Sequence, residues 1–177
     1  MRIINGYLSG RRPVVPKNLL ARPTTDMARE GLFNILRNRL DFENSRVLDL
    51  FSGTGIIGYE FASLGCRDIT CVERDRFHCA SIRKNFDLLD INSIRLIETD
   101  AFNFLKKEVH PFDFIFADPP YNHALITTLP SLIIGKNRLV PDGLFVLEHG
   151  PDKTFKDSPG YTEERNYGKV HFSFFKD

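Results

Sequence analysis

The chain has 177 residues, of which 42% are hydrophobic and 27% charged, and this suits one compact domain over residues 1–177 with little room for a second. A formal net charge of +1 argues against nucleic-acid binding by bulk charge alone. No apolar run approaches a membrane span, and the three cysteines lack the spacing of a disulfide framework or a zinc site. We therefore expect a soluble, cytoplasmic, monomeric protein without a metal.

Basic residues are concentrated at the amino end. Those that precede the first acid of the chain are Arg2, Arg11, Arg12, Lys17 and Arg22. This excess predicts a basic arm over residues 1–25 that contacts phosphates, followed by a core over residues 26–177. Solvated surface charge explains the same pattern equally well, so charge alone does not decide between the two interpretations.

After the arm, the sequence alternates between helical stretches and short apolar runs. Helices are predicted from about residue 26, after the candidate N-caps Thr24 to Asp26, and over 56–64, 77–89, 101–107 and 125–134. Strands are predicted over 46–51, 69–73, 94–100, 112–118 and 143–149. This alternation is typical of a doubly wound α/β fold with helices on both faces of a parallel sheet. The segments 161–168 and 169–175 predict an antiparallel hairpin that closes the sheet.

The first predicted strand leads directly into a glycine-rich turn. Gly53, Gly55 and Gly58 have GxGxxG spacing, and glycine lets a ligand approach the free N–H groups at a helix start. Glu73 ends the next strand about 20 residues later, where a carboxylate can accept both ribose hydroxyls. Strand, turn, helix and acid together predict an adenosine-type cofactor, either a dinucleotide such as NAD or S-adenosylmethionine.

Acidic residues end several of the predicted strands. Asp49 precedes the glycines, and Asp100 ends the third strand, where its carboxylate can accept from an adenine amino group. A helix cap is the simpler interpretation of Asp100 alone. Because open α/β sheets bind ligands at the carboxyl ends of their strands, the series predicts an acidic pocket. Acidic surroundings suit a cation, which favours the sulfonium of S-adenosylmethionine.

The fourth predicted strand ends in a stiff corner, Asp118-Pro119-Pro120-Tyr121. An ordinary turn would explain the prolines if they stood alone. An exocyclic base amine is a poor nucleophile, and two fixed acceptors on its hydrogens would aim its lone pair at a methyl donor. The Asp118 carboxylate and the Pro119 carbonyl can be those acceptors, and Tyr121 can stack on the base. The corner therefore predicts methyl transfer by positioning and preorganised electrostatics.

The chain resembles the RsmD family of bacterial ribosomal RNA methyltransferases, which modify guanine N2 in small-subunit ribosomal RNA. The segments that carry the resemblance are RIINGYLSGRRPVVP, RPTTDMAREGLFNIL, VLDLFSGTGIIG, ADPPY and YGKVHFSFF. They imply a Rossmann-like class I methyltransferase fold, with a seven-stranded sheet, S-adenosylmethionine as cofactor, and small-subunit ribosomal RNA or an assembling small subunit as partner. The chemistry of the corner alone leaves adenine N6 and cytosine N4 of RNA or DNA open, since guanine comes from the resemblance.

The resemblance also implies roles for individual residues. The residues expected to be catalytic are Asp118, Pro119, Pro120 and Tyr121. Those expected to bind the cofactor are Thr25, Asp49, Ser52, Gly53, Thr54, Gly55, Glu73, Arg74, Asp100, Ala101 and Asp118. Those expected to bind RNA are Arg2, Arg11, Arg12, Lys17, Arg22 and Arg29. Two other functions stay open: a dinucleotide-dependent oxidoreductase, which leaves the proline corner unexplained, and an RNA-binding protein without turnover.

Overall fold

The structure is a computed structural model that describes residues 1–15, 24–107 and 110–177. Its strands are β1 (Arg46–Leu50), β2 (Asp68–Glu73), β3 (Ile94–Glu98), β4 (Phe112–Ala117), β5 (Leu139–His149), β6 (Tyr161–Tyr167) and β7 (Val170–Lys176). Its α-helices are α1 (Asp26–Leu36), α2 (Ile56–Ser63), α3 (Arg76–Leu89), α4 (Ala101–Leu105) and α5 (Leu129–Ile133). A 3₁₀ turn at Ile126–Thr128 precedes α5.

The strands form one seven-stranded sheet in the order β3-β2-β1-β4-β5-β7-β6. The pairs among β1 to β5 are parallel, while β7 lies antiparallel between β5 and β6. The predicted α/β fold and its closing hairpin are therefore confirmed. The strand order reverses between β1 and β4, and a crevice at such a switch point is where ligands bind in open α/β sheets.

Two apolar clusters cover the two faces of the sheet. Alternate residues of one strand enter different clusters: Phe114 and Phe116 pack with residues of α1 and α2, while Ile115 and Ala117 pack with residues of α4 and α5. This alternation follows from the two-residue period of a strand. Helices on both faces leave the carboxyl edge of the sheet as the place where polar side chains can gather.

The helix predicted over 125–134 is divided into the 3₁₀ turn and α5. Pro130 lies in the first turn of α5 and has no backbone N–H to donate, so a continuous helix through it would lose a hydrogen bond and clash. Strand β5 begins earlier than predicted, at Leu139, with a register shift in its pairing between Phe112 and Phe114. Neither difference alters the carboxyl edge.

The first fifteen residues are packed on the core and do not form a free arm. Ile3 and Leu8 are buried in an apolar cluster. The Glu60 carboxylate on α2 accepts from the backbone N–H groups of Ile4 and Asn5, each at 2.9 Å. The predicted arm is thus held against α2, while the predicted RNA contacts Lys17 and Arg22 lie outside the described residues.

Within the described ranges, no helix is long and apolar enough to cross a membrane. The same part of the chain contains no group of three His, Cys, Asp or Glu residues arranged to hold a metal ion. Cys66, Cys71 and Cys79 are free and buried.

Candidate active site

The glycine turn, the acids and the proline corner meet at the carboxyl edge of the central strands. Leu50 of β1 pairs with Ala117 of β4, and Ala117 pairs in turn with Leu147 of β5. Three parts of the chain therefore lie side by side at this edge: the glycine loop after β1, the corner at Asp118 after β4, and Glu148 near the end of β5. The sequence predicted the first two segments of this site.

The glycine turn has room for a ligand on one side and none on the other. Gly53 has a φ of +54°, and a Cβ added there would meet only the Phe51 carbonyl oxygen within 4 Å, at 3.8 Å. A Cβ on Gly58 would approach the Cys71 Sγ to 2.7 Å, so α2 packs closely on β2. Ser52 and Thr54 are buried in the turn. Space beside the backbone at Gly53 is what an adenosine-type cofactor requires.

Glu73 ties the glycine turn to the end of β2. Its carboxylate accepts from the Gly53 N–H at 2.8 Å and from the Asp75 N–H at 2.7 Å. Each carboxylate oxygen keeps a free lone pair for a ribose hydroxyl. The carboxylate is therefore held rigidly in the position where the sequence predicted a ribose contact.

Asp100 lies at the rim of the site, and it does cap a helix. Its Oδ1 accepts from the Asn103 N–H at 3.1 Å at the start of α4, while Oδ2 lies 4.0 Å from Arg74 Nη1. Ala101 is buried directly behind it. The structure thus brings Arg74, Asp100 and Ala101 together beside β2 and β3, and their contact with adenine stays a prediction.

Several carboxylates share the floor of the site without a cation. Asp49 is 1% exposed, and its burial, together with the nearby Glu73 charge, raises its pKa to about 8. Burial and the charges of Glu148 and Asp49 also raise the pKa of Asp118 well above its usual range. Among the described residues, no Lys or Arg forms an ion pair with Asp49, Asp118 or Glu148. Such a site fits a positively charged cofactor.

The proline corner lies at the end of β4 and is held there by two hydrogen bonds. Asp118 directly follows β4 and is mostly buried, Pro119 is buried, and Pro120 is exposed. The Pro120 carbonyl accepts from the His123 N–H at 2.8 Å, which closes the turn. The Tyr121 hydroxyl donates to Glu148 Oε1 at 2.9 Å. The corner is therefore held by a tight turn on one side and by β5 on the other.

Glu148 is a site residue that the sequence analysis missed. It is 2% exposed and accepts from Thr24 Oγ1 at 2.7 Å as well as from Tyr121. The rule that found Asp49 and Asp118, an acid where a parallel strand ends, applies equally to Glu148 at the end of β5. The segment GLFVLEH carried that signal in the sequence.

Aromatic rings line the edge next to the corner. Phe51, Phe102 and His123 are half-buried, and the rings of Phe102 and His123 stack at a centroid distance of 5.0 Å. Phe51 has a φ of +62°, a strained backbone conformation for a bulky residue. Strain of this kind is concentrated at functional sites, and the rings offer a flat surface beside the crevice.

Two residues predicted to contact ligands have other roles in this structure. Arg29 has no exposed surface, and its guanidinium donates to Glu60, Asp26 and the carbonyls of Arg2 and Thr24. The prediction that Arg29 contacts RNA is therefore wrong for this conformation, because a fully buried side chain held by four neighbouring groups cannot reach a phosphate. Thr25 is exposed and caps α1 by accepting from the Ala28 N–H, so its cofactor contact stays a prediction.

The other predicted RNA contacts that the structure describes are exposed arginines. Arg2 lies 3.4 Å from Asp26, and Arg11 donates to the Leu88 carbonyl at 3.1 Å. Arg12 is exposed on the same packed segment. Each keeps guanidinium donors on the surface, and their contact with RNA stays a prediction.

We expect cofactor affinity to depend on pH through Asp49. A bound sulfonium lowers the raised pKa of Asp49, so binding releases a proton, and affinity rises with pH until about 8, by up to about tenfold per pH unit. Calorimetric titration of S-adenosylmethionine at several pH values in two buffers measures both effects. S-adenosylhomocysteine, which has the same amino group but no sulfonium, and Asp49→Asn serve as controls with flatter profiles. Equal profiles for both ligands would contradict this prediction.

Comparison with known proteins agrees with this site. The family described as Conserved hypothetical protein 95 matches residues 1–176. The ribosomal RNA small subunit methyltransferase D of Buchnera aphidicola is 32% identical over 181 residues, which cover 99% of this chain and 91% of that protein. The Escherichia coli K12 protein of the same name is 32% identical over 148 residues, covering 84% and 74%.

Solved structures give the same assignment of the fold. The Escherichia coli protein yhhF has a TM-score of 0.85 at 30% identity, covering 99% of this chain and 96% of that one. The T. thermophilus 16S rRNA N2 methyltransferase RsmC, in complex with AdoMet and guanosine, has a TM-score of 0.70 at 22% identity and covers 89% and 45%. The second likeness shows the fold alone.

The sheet topology, the glycine loop and the proline corner define a class I methyltransferase that uses S-adenosylmethionine. Within that class, the chain belongs to the RsmD family, that of the ribosomal RNA small subunit methyltransferase D. The resemblance seen in the sequence is confirmed, and the oxidoreductase alternative is not supported by these relatives.

Proposed function

We propose that this protein transfers a methyl group from S-adenosylmethionine to the exocyclic N2 amine of a guanine in small-subunit ribosomal RNA. The relatives named ribosomal RNA small subunit methyltransferase D support ribosomal RNA as the substrate. The observation that supports the chemistry best is the corner at Asp118, where a mostly buried carboxylate and a stiff proline turn follow β4 at the switch point of the sheet. When bound, S-adenosylmethionine supplies an electrophilic methyl group.

The residues of the corner orient the amine and hold its protons. The Asp118 carboxylate accepts one amine hydrogen, and the Pro119 carbonyl, which takes no donor among the described residues, accepts the other. Two fixed acceptors favour a pyramidal nitrogen with its lone pair directed away from them. The ring of Tyr121, held by its bond to Glu148, packs against the base. The glycine turn, Asp49, Glu73 and Asp100 hold the cofactor.

Guanine suits these acceptors better than the other bases that carry an amine. A carboxylate offers two parallel acceptors, and guanine presents N1–H beside its N2 amine, so both Asp118 oxygens can be used. Adenine and cytosine place a ring-nitrogen acceptor at that position, which would face the second oxygen with an opposed lone pair. This chemistry supports guanine N2, and the target base must leave its stack to reach the corner.

Methyl transfer to ribosomal RNA tests the proposed function directly. Purified protein is incubated with labelled S-adenosylmethionine and either small-subunit ribosomal RNA or partly assembled subunits, and the product nucleosides are separated. We expect N2-methylguanosine at a single position. N6-methyladenosine or N4-methylcytidine would overturn the choice of base, and no transfer despite intact cofactor binding would overturn the choice of RNA.

A modified base at the mapped position tests why guanine is chosen. RNA carrying 2-aminopurine there retains the amine and lacks the N1–H donor, so we expect methylation to fall at least tenfold. RNA with inosine lacks the amine and is the control for background transfer. Equal methylation of guanine and 2-aminopurine would show that Asp118 does not use both of its oxygens.

A further inference from the structure

Glu148 lies where three parts of the molecule meet. It lies near the end of β5, one residue beyond the last pair of β4 and β5, Ala117 and Leu147, and Asp118 follows Ala117 in the same way. Its Oε1 accepts from the Tyr121 hydroxyl and its Oε2 accepts from the Thr24 hydroxyl, at 2.9 and 2.7 Å. One buried carboxylate thus connects the corner, the fifth strand and the segment that leads into α1.

We propose that Glu148 is a positioning residue for methyl transfer: it fixes the Tyr121 ring at the target base and places a second negative charge beside Asp118. The inference rests on the proposed transfer to a base amine. A carboxylate that is 2% exposed is costly to bury unless it serves the site, and two hydroxyl donors compensate only part of that cost. Neither hydroxyl donor carries a charge, so the negative charge of Glu148 is left to act on Asp118.

The second charge determines which group takes the proton. Nucleophilic attack of the amine forms the nitrogen–carbon bond, breaks the carbon–sulfur bond, and leaves a positive charge on the methylated nitrogen. That nitrogen then loses one proton to the Asp118 carboxylate, which passes it to solvent. Burial raises the pKa of Glu148, while the hydroxyl donors on both of its oxygens oppose that rise. Among the described residues, Asp118 has no such opposing donor, so it is the carboxyl of the pair whose pKa is raised well above its usual range.

The groups that face Asp118 come from three elements. Asp49 lies on β1, Glu148 on β5, and Tyr121 on the corner itself. Burial, then Glu148, then Asp49 raise the pKa of Asp118. A raised pKa of an acid means that the stability of the free protein is greatest at low pH and declines as pH rises through it. Removing the Glu148 charge should therefore reduce that decline.

The variant Glu148→Gln tests the proposal, because glutamine retains the shape but not the charge: its oxygen accepts from one hydroxyl, and its NH2 donates to the oxygen of the other. In the ligand-free protein, we expect its melting temperature to decline less between pH 5.5 and pH 8.5 than that of the wild type. In the methyl-transfer assay, we expect the acidic limb of the pH profile to move to lower pH by about half a unit or more. Asp49 is unchanged in this comparison, so its own titration cancels. Glu148→Gln also removes the titration of Glu148, whose pKa burial raises, so the acidic limb of the transfer profile is the measurement specific to Asp118.

Thr24→Val supplies the matched control, since it removes one hydroxyl donor and leaves the charge. We expect it to raise KM for RNA and to move the acidic limb less than Glu148→Gln does, because the Glu148 carboxylate is still present and loses only one of its two donors. An unmoved acidic limb and an unchanged pH dependence of melting in Glu148→Gln would overturn the proposal. The melting measurement needs no RNA, so it can be interpreted even if the methylated base is not guanine. Conversely, the nucleoside analysis identifies the methylated base whether or not Glu148 positions Tyr121.

Discussion

Asp118→Ala is expected to reduce methyl transfer by about 10²–10³-fold, or about 3–4 kcal/mol of transition-state stabilisation. The substitution removes an acceptor that holds the amine and the group that takes its proton, and alanine replaces neither. Cofactor affinity should change by less than about fivefold, because Asp49, Glu73 and the glycine turn stay in place. Single-turnover transfer and calorimetric titration of the cofactor separate the two effects.

The fold should tolerate this loss. Asp118 carries a raised pKa because burial and the charges of Glu148 and Asp49 disfavour its ionised form. Removing it relieves that repulsion at neutral pH, so the melting temperature of Asp118→Ala should equal or exceed that of the wild type. Inactivity accompanied by a lower melting temperature would point to unfolding and away from chemistry.

Two further variants define what the carboxylate does. Asp118→Asn retains one amide oxygen as an acceptor but cannot take a proton, so its rate should lie between those of wild type and Asp118→Ala. Asp113→Asn, at the start of β4 and so at the opposite end of the strand from Asp118, retains an acceptor for the Arg46 N–H and should leave the rate unchanged. If Asp118→Ala keeps more than about a tenth of the rate, the corner does not act as proposed.

The sequence was sufficient for the fold and for the edge of the sheet at which most acids of the candidate site lie. Alternating apolar runs and helices predicted the parallel sheet, and acids at the strand ends predicted where Asp49, Glu73 and Asp118 would gather. These features are local, because spacing and strand period determine where such side chains point.

The contacts that the sequence did not predict join residues far apart in the chain. Thr24 and Glu148 are separated by 124 positions, and Arg29 and Glu60 by 31. In the sequence, Arg29 has the pattern of an exposed arginine, because its neighbours along the chain do not differ from those of an arginine on the surface. Its burial against Glu60 is seen only when α1 is packed on α2.

The buried pair Arg29 and Glu60 is the main charged contact of α1 with α2, and Arg29→Ala is expected to lower the free energy of unfolding by about 3–5 kcal/mol. Both side chains are 0% exposed, and Arg29 Nε lies 2.9 Å from Glu60 Oε1. Removing the guanidinium leaves the Glu60 charge buried without its cation. It also leaves the carbonyls of Arg2 and Thr24 without a donor.

Urea unfolding measures this loss, with Arg37→Ala as the matched control. Arg37 is an exposed arginine at the end of the same helix and makes one bond, to Asn5 Oδ1 at 2.9 Å, so its loss should stay below about 1 kcal/mol. Glu60→Gln should also destabilise, because its carboxylate receives the backbone of Ile4 and Asn5 as well. Similar losses for Arg29→Ala and Arg37→Ala would contradict a buried ion pair.

The same pair should influence catalysis from a distance. Arg29 holds the carbonyl of Thr24, and the hydroxyl of Thr24 holds Glu148 beside the corner. Lysine has fewer hydrogen-bond donors than arginine, so Arg29→Lys should hold the Thr24 carbonyl less firmly. At a temperature where this variant is fully folded, it should raise KM for RNA, as Thr24→Val does. The double variant of Arg29→Lys with Thr24→Val should then add little to either one, because both act through the same hydrogen bond. Additive effects would place Arg29 outside that connection and leave it a purely structural residue.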